Sequence, residues 1–290
     1  IPKFNDNAKI ALIDDMKNAY HITQPIITKT DKEDYKTVFS DSIMLNVSRG
    51  CTRGCRFCMS SYLYRPLRET TIKELVNIAL KTRENTNLNK ITLIGAAVGD
   101  YYDLEGLTKA LESEGFQIAT PSLRIDSLSR ETLETLKKSG LKSITIAPES
   151  ISTLRERINK SISDEKIFSV IKNAVDLDFN IKLYFLIGIP YESKEDIEEL
   201  ANYIEKIANM HKNRNYIKFS INPVIPKPQT PLQWEVYNFK EIKSKTRYLK
   251  KKLRKYNVKF ESPKKGLIQY ILSSGNREVG AVIEKSLTEE

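Results

Sequence analysis

Histidine is scarce in this 290-residue sequence, where only His21 and His211 occur, and so are tryptophan, with one, and cysteine, with three. An odd cysteine count leaves one thiol over, and a chain this long can bury a core without staples, so a disulfide framework is not expected. No run of some twenty apolar residues is present, which excludes an ordinary transmembrane helix. A charged start followed by an apolar secretory segment is also missing. Together these absences point to a reducing, cytoplasmic setting. The first residue is Ile1 rather than Met, as expected of a fragment or a trimmed chain. Charged residues make up 29% of the chain and the net charge is +10, which favours anionic partners without naming one.

All three cysteines stand in one short run, Arg-Gly-Cys-Thr-Arg-Gly-Cys-Arg-Phe-Cys, as Cys51, Cys55 and Cys58. Soft thiolates favour iron–sulfur clusters or zinc, and clusters are held by short cysteine runs. Three thiolates can hold three corners of a four-iron cube and leave the fourth iron open. A structural zinc site normally takes four ligands. Both histidines are distant in sequence, so a carboxylate would have to complete a zinc site; that alternative stays open. Gly50 and Gly54 let the backbone turn tightly.

From about residue 43, β-rich apolar runs alternate with amphipathic stretches. Strands are expected at Ile43–Val47, Ile91–Ile94, Gln117–Thr120, Ser143–Ala147, Lys182–Ile187 and Lys218–Val224. Their nearly continuous apolar character suits parallel strands buried on both faces. Thr71 with Glu74, Ser129, and Ser193 with Asp196 mark helix starts, and Gly140 marks a stop. His211 reads as a residue near a helix end rather than a ligand. Six βα units imply a parallel sheet with right-handed crossovers, two units short of a closed eight-fold barrel. The expected fold is therefore α/β, a partial, open (β/α)6 TIM-type barrel. It divides into a lead-in over 1–42, a core over 43–238, and a basic helix with a tail over 239–290, of which 257–290 is expected to be a short α/β tail.

In such folds chemistry collects on the loops after the strand C-termini. The cysteine loop, Gly95-Ala96-Ala97, Ser122 with Arg124, Glu149, Ile187-Gly188 and a proline-rich loop from Pro223 follow the six strands in turn. The cysteine spacing and this order resemble the radical S-adenosylmethionine (radical SAM) enzymes over roughly residues 43–234. The resemblance implies a [4Fe-4S] cluster held by Cys51, Cys55 and Cys58, with S-adenosylmethionine (SAM) on the fourth iron. Reductive cleavage of SAM to a 5′-deoxyadenosyl radical would then modify a substrate. By the same resemblance Phe57 flanks the adenine, and Gly95, Ala96 and Ala97 stand where the family has Gly-Gly-Glu beside the SAM amino group. This chain lacks that glutamate. Glu149 and Arg155 correspond to residues binding the ribose and methionine ends, with Ser122 and Arg124 as further candidates. Ile187 and Gly188 correspond to the segment packing on adenine.

The flanks, Tyr64-Arg-Pro-Leu-Arg-Glu69 and Pro226-Lys-Pro-Gln-Thr-Pro-Leu-Gln-Trp234, resemble the branch that carries an N-terminal cobalamin-binding domain. The lead-in residues from Pro25 to Asp41 resemble the linker after it. The cobalamin motif Asp-x-His-x-x-Gly occurs nowhere in the sequence, so cobalamin and methyl transfer enter only through the resemblance. A methylthiotransferase would need three further cysteines for a second cluster. A non-catalytic iron–sulfur or zinc protein is the rival from another class. Trp234 reads either as a pocket wall or as a core residue closing the barrel.

Between Phe239 and Tyr256 stand nine Lys or Arg against the single acid Glu241. Phe239, Ile242, Leu249, Leu253 and Tyr256 form the apolar stripe of a helix. Its basic faces read as a solvated surface, as a dock for an acidic electron donor such as flavodoxin or ferredoxin, or as a site for RNA phosphates.

Overall fold

The computed structural model describes residues 13, 15–25, 41–120 and 122–288. Most of the lead-in, including the run from Ile26 to Ser40, lies outside the described residues. The six anticipated strands form as β1 (Ile43–Asn46), β4 (Lys90–Ile94), β5 (Gln117–Ala119), β6 (Ser143–Glu149), β7 (Asn180–Ile187) and β8 (Ile217–Pro223). Three further strands form. Two, the short antiparallel pair β2 (Ser48–Arg49) with β3 (Arg68–Glu69), were not anticipated; the third, β9 (Val258–Phe260), belongs to the expected α/β tail.

β1, β4 and β5 pair in parallel, as do β6, β7, β8 and β9. A parallel bridge between Leu123 and Ile146 joins the two groups. The spatial order thus follows the sequence, β1-β4-β5-β6-β7-β8-β9, and every strand of it ends towards the same rim. Among the described residues no pairing joins β1 to β9. β9 adds a seventh parallel strand beyond the six expected, through a register of Phe219 with Val258 and Ile221 with Phe260.

The helices are α1 (Ser60–Leu63), α2 (Ile72–Thr86), α3 (Leu104–Ser113), α4 (Arg130–Lys138), α5 (Ser152–Arg157), α6 (Asp164–Asp176), α7 (Lys194–Ala208), α8 (Phe239–Lys252), α9 (Pro263–Ser274) and α10 (Glu278–Thr288). Local chemistry sets where they begin. Thr71 and Glu74 form a reciprocal capping box, as do Ser193 and Asp196. Ser129 accepts from the Thr132 amide. Each such cap is worth about 1 kcal/mol, whereas one fully buried Leu, Ile or Phe contributes roughly 1.5–3 kcal/mol. Packing therefore holds the helices in place, and the caps decide only their first residue. Ile197, Leu200, Ala201, Ile204 and Ile207 bury one face of α7. His211 lies past the end of that helix, stacked on Tyr216 at 4.7 Å.

Burial corrects one expectation. β7 and β8 are not covered on both faces. Ile181, Leu183, Phe185 and Ile187 are buried in the core with the helices, while Lys182 is exposed and Tyr184 and Leu186 are half-buried on the opposite face. The reason is the two-residue period of a strand: the alternate residues point into the inner space of the sheet, where a cavity opens that Gln269 of α9 also lines. Of the two readings of Trp234, the structure agrees with the pocket wall: it is 85% exposed on a short 3-10 turn and lines a cavity with Pro226 and Tyr237, so it closes no core.

Gly188 shows how tightly α8 is seated. Its backbone has φ +78°, and a Cβ there would come within 2.3 Å of Ile242 Cδ1. Gly188→Ala is therefore expected to destabilise the protein by roughly 2–3 kcal/mol through strain and overpacking. Ile242→Val should leave room for that methyl group and recover part of the loss. Urea unfolding of the two single variants and the double variant checks this; strict additivity would show that the contact is not the cause.

Candidate functional site: the cysteine loop and its rim

The chain leaves β1 at Val47, pairs briefly as β2, and enters the cysteine loop at Gly50. Gly50 has φ +94°, and a Cβ there would lie 2.3 Å from the Tyr64 carbonyl and 2.5 Å from that of Pro66. The returning segment thus packs directly on the glycine backbone, which no larger residue permits.

The loop has no regular structure, so its carbonyls need partners from elsewhere. The Asn159 side-chain amide donates to the carbonyls of Arg53 at 3.1 Å and Gly54 at 3.0 Å. The Tyr62 hydroxyl donates to Gly54 at 2.8 Å, and Arg65 donates to Thr52 at 3.2 Å. The Arg56 amide donates to the Ile158 carbonyl at 3.0 Å, and the Leu232 amide to that of Arg56 at 3.4 Å. The loop is thereby tied to α1, to the segment after α5, and to the segment after β8.

Cys51 and Cys55 are buried and Cys58 is half-buried. The Ser61 hydroxyl lies 3.7 Å from the Cys51 sulfur. Burial pushes the Cys55 thiol up, while the positive charges of Lys160 and Arg124 oppose the rise, Arg124 also bonding to it. Once deprotonated as a ligand, the sulfur would gain from both cations. Among the described residues no three His, Cys, Asp or Glu side chains converge on one point for a single ion. A lone zinc would need its sulfurs at about 2.3 Å from a common centre. A multi-iron cluster instead offers a separate iron to each thiolate, so the donor set fits a cluster better than zinc.

An ion network missed in the sequence locks three rim loops together. Arg53 of the cysteine loop donates to both oxygens of Asp100, at 2.8 and 2.7 Å, and pairs with Asp126 at 3.1 Å. Arg124 donates to both oxygens of Asp126 at 3.0 Å and pairs with Asp100 at 3.3 Å. Burial would raise the Asp126 carboxyl, but the Arg124 hydrogen bonds and the charges of Arg124 and Arg53 outweigh it and hold it below the usual range. Only Arg124 of these four was singled out from the sequence, because ion pairs between loops leave no local spacing signal.

Glu149 ends β6 in a left-handed conformation, φ +69°, beyond a shift in register with β7. It is buried and paired with Lys160 at 2.6 Å. Gly95 approaches β2 so closely that a Cβ would lie 2.7 Å from the Ser48 hydroxyl. Ala96 is exposed and Ala97 half-buried, so this turn offers backbone rather than side chains. Phe57 packs partly against the core and reaches a cavity on the inner face. Ser122 is exposed beside the network. Among the described residues five buried side-chain oxygens lack a protein partner: Glu192 Oε1 and, at or just after strand C-termini on this rim, Asn46 Oδ1, Ser48 Oγ, Thr120 Oγ1 and Ser150 Oγ. Leaving such a group unmet costs about 1–3 kcal/mol, which a bound ammonium or hydroxyl group would offset.

Two expected contacts depart from this rim. Arg155 is completely buried, and its guanidinium is taken up by the carbonyls of Ser150 and Ile162 and by the Asp164 carboxylate, which also accepts from Tyr203. It braces α5 and α6 and presents nothing to a ligand. The Ile187 side chain lies in the core on the helix side, because its place in the alternation is set by Phe185 and Leu183. Only the backbone of Ile187–Gly188 remains available for contact.

The family model of the radical SAM superfamily matches residues 45–204. A protein of Methanocaldococcus jannaschii carried as uncharacterised is 35% identical over 90% of this chain and 58% of its own length. The cytidylyl-2-hydroxyethylphosphonate methyltransferase of Streptomyces wedmorensis is 28% identical over 59% of this chain and 34% of its own. The solved structure of TsrM from Kitasatospora setae, a radical S-adenosylmethionine methyltransferase with cobalamin and a [4Fe-4S] cluster bound, superposes with a TM-score of 0.56. That match has 10% identity and covers 68% of this chain and 39% of TsrM. At that identity the likeness shows the fold alone. The chain thus spans less than two thirds of the length of each of these relatives.

Lys160→Met is expected to cost about 3–5 kcal/mol, because Glu149 is left charged and buried without its partner. Adding Glu149→Gln should restore much of that loss. Chemical denaturation of the three variants measures the coupling. A Lys160→Met penalty that Glu149→Gln does not reduce would mean that the lysine acts through another contact.

Proposed function

Because the chain belongs to the radical SAM superfamily of enzymes, which bind a [4Fe-4S] cluster and S-adenosylmethionine, we propose that Cys51, Cys55 and Cys58 hold that cluster and that the surrounding rim binds SAM for reductive cleavage. The observation that carries this reading is the anchored loop itself: three thiols on one turn, two of them buried, with Lys160 and Arg124 acting on Cys55. When bound, cluster and SAM together supply a one-electron cleavage of the sulfonium and a carbon radical able to take hydrogen from a substrate.

The chain's own residues bind and orient. Asn46 Oδ1, Ser48 Oγ and the Gly95 carbonyl are the acceptors for the SAM ammonium; no glutamate is needed where buried oxygens already lack partners. Arg124, its Nε–Nη2 edge held by Asp126, receives the carboxylate with the remaining side of its guanidinium. Ser122 stands beside it as a weaker donor. Glu149, held by Lys160, and Thr120 take the ribose hydroxyls. Phe57 and the backbone at Ile187–Gly188 flank the adenine. Arg155 is left out of this set for the reason given above.

Methyl transfer is the reaction to test first, since two of the compared proteins are methyltransferases. Cobalamin, if the reaction uses it, would be held outside residues 43–238. The exposed lysines of α8, Lys250, Lys251 and Lys252, suit an acidic electron donor. No helix among the described residues is long and apolar enough to cross a membrane.

Anaerobic reconstitution with iron and sulfide, then reduction with dithionite in the presence of SAM, is expected to yield 5′-deoxyadenosine. Cys58→Ala should lose both the cluster spectrum and the product, and Glu149→Ala should keep the cluster while weakening SAM binding about tenfold or more. Uptake of zinc alone, or product formation by Cys58→Ala, would overturn the ligand assignment.

A further inference from the structure

The inner face of β7, β8 and β9 carries charge that the SAM rim does not use. A cavity of about 430 Å³ opens there below the cysteine loop, within the usual range for small-molecule sites. Its walls include Phe57, Tyr184, Asn222, Lys182, Lys227 and Lys259.

Register places these residues in rows. Leu186 stands opposite Asn222 near the rim, with Glu261 beside them. Tyr184, Ser220 and Lys259 form the next row. Lys182 stands opposite Lys218 in the row beneath. Successive rows on one face are about 7 Å apart, so the lysines lie roughly 7 and 14 Å below the rim.

The buried lysines are neutralised, Lys160 by Glu149, and Lys245 by Glu192 at 2.8 Å and Glu241 at 2.5 Å. Those of the inner face are more open, with Lys227 half-buried and Lys182, Lys218 and Lys259 exposed. Among the described residues no carboxylate pairs with Lys182, Lys218, Lys227 or Lys259. Lys227 donates to the Ser273 hydroxyl at 3.1 Å, and Lys182 rests over the Tyr184 ring at 4.8 Å. Glu261, the one acid lining the cavity, makes no ion pair with them. Lys182 and Lys218 are like charges directly opposite on neighbouring strands, an arrangement that destabilises a sheet. A multiply charged oxyanion would reverse the sign of that interaction, and the Tyr184 and Ser220 hydroxyls can donate to it as well.

We propose that this inner face is the substrate subsite, and that Lys182, Lys227 and Lys259 hold the phosphate-like, multiply anionic end of a small substrate whose opposite end reaches Phe57 at the rim. The proposal rests on the radical SAM reading for what happens at the rim, but the anion site itself stands on the cavity and its unpaired lysines. It assigns the substrate a class: a small molecule with a charged oxyanion roughly 7–14 Å from the carbon that reacts.

The test is calorimetric titration of inorganic pyrophosphate into the full chain at fixed ionic strength. We expect saturable 1:1 binding that Lys259→Gln and Lys182→Gln each weaken about tenfold or more. Lys138→Gln, on the exposed face of α4, should leave it unchanged. Lys182→Gln should keep or raise the melting temperature, since it removes a repulsive pair. No saturable binding, or equal weakening by Lys138→Gln, overturns the proposal in favour of diffuse surface charge. In parallel, the reconstituted wild type is assayed for 5′-deoxyadenosine formation without substrate. Pyrophosphate binding as expected with no SAM cleavage in wild type would keep the anion site and remove the radical SAM reading; cleavage without anion binding would do the reverse.

Discussion

Everything at the rim depends on a loop without secondary structure being held as firmly as a helix. Three thiols can bind one cluster only if the backbone between them does not move, and an irregular backbone stays put only when its own polar groups are met. Asn159, Tyr62 and Arg65 meet the carbonyls of Thr52, Arg53 and Gly54, and the backbone of Arg56 is bonded on both sides. Tyr62 and Arg65 are near in sequence, but Asn159, Ile158 and Leu232 are distant, so the loop can complete its geometry only after the sheet has brought the strand ends together.

The second tier is electrostatic. Arg53, Asp100, Arg124 and Asp126 connect the loops after β2, β4 and β5, and Glu149 with Lys160 does the same within the segment after β6. A partly buried ion pair is weak evidence for stability, because desolvation offsets much of the Coulomb gain. Its value here is in position: the network fixes the Arg124 guanidinium and leaves Lys160 and Arg124 beside Cys55. The inner face has the opposite character. There, among the described residues, the cations are left without carboxylates, and the sheet sets Lys182 opposite Lys218.

Much of the architecture was legible in the sequence because its signals are local. The six strands appear within a few residues of their expected ends, and the capping residues Thr71, Ser129 and Ser193 begin the helices they were expected to begin. β2 and β3 were not, since two-residue strands leave no periodicity to detect, while β9 lies in the tail expected to be α/β. The inference that strands β7 and β8 were buried on both faces failed for a different reason. Tyr184 and Leu186 are apolar enough to sit in a core, yet they line the inner space because Leu183 and Phe185 take the helix side. Arg155 was misjudged similarly: its spacing from Glu149 is visible in the sequence, but its direction is set by Asp164, Ser150 and Ile162.

By itself the sequence determined the cysteine cluster, the alternation of strands and helices, and hence a parallel sheet whose chemistry gathers at one rim. These follow from spacing, hydrophobic period and capping chemistry, all of which act over a few residues. Only the tertiary structure decided which polar groups meet across loops, which oxygens are left buried without partners, and which lysines face an open cavity rather than a carboxylate. Those outcomes depend on through-space distances between residues as far apart as Arg53 and Asn159 or Lys182 and Lys259, and no local pattern encodes a distance that packing alone sets.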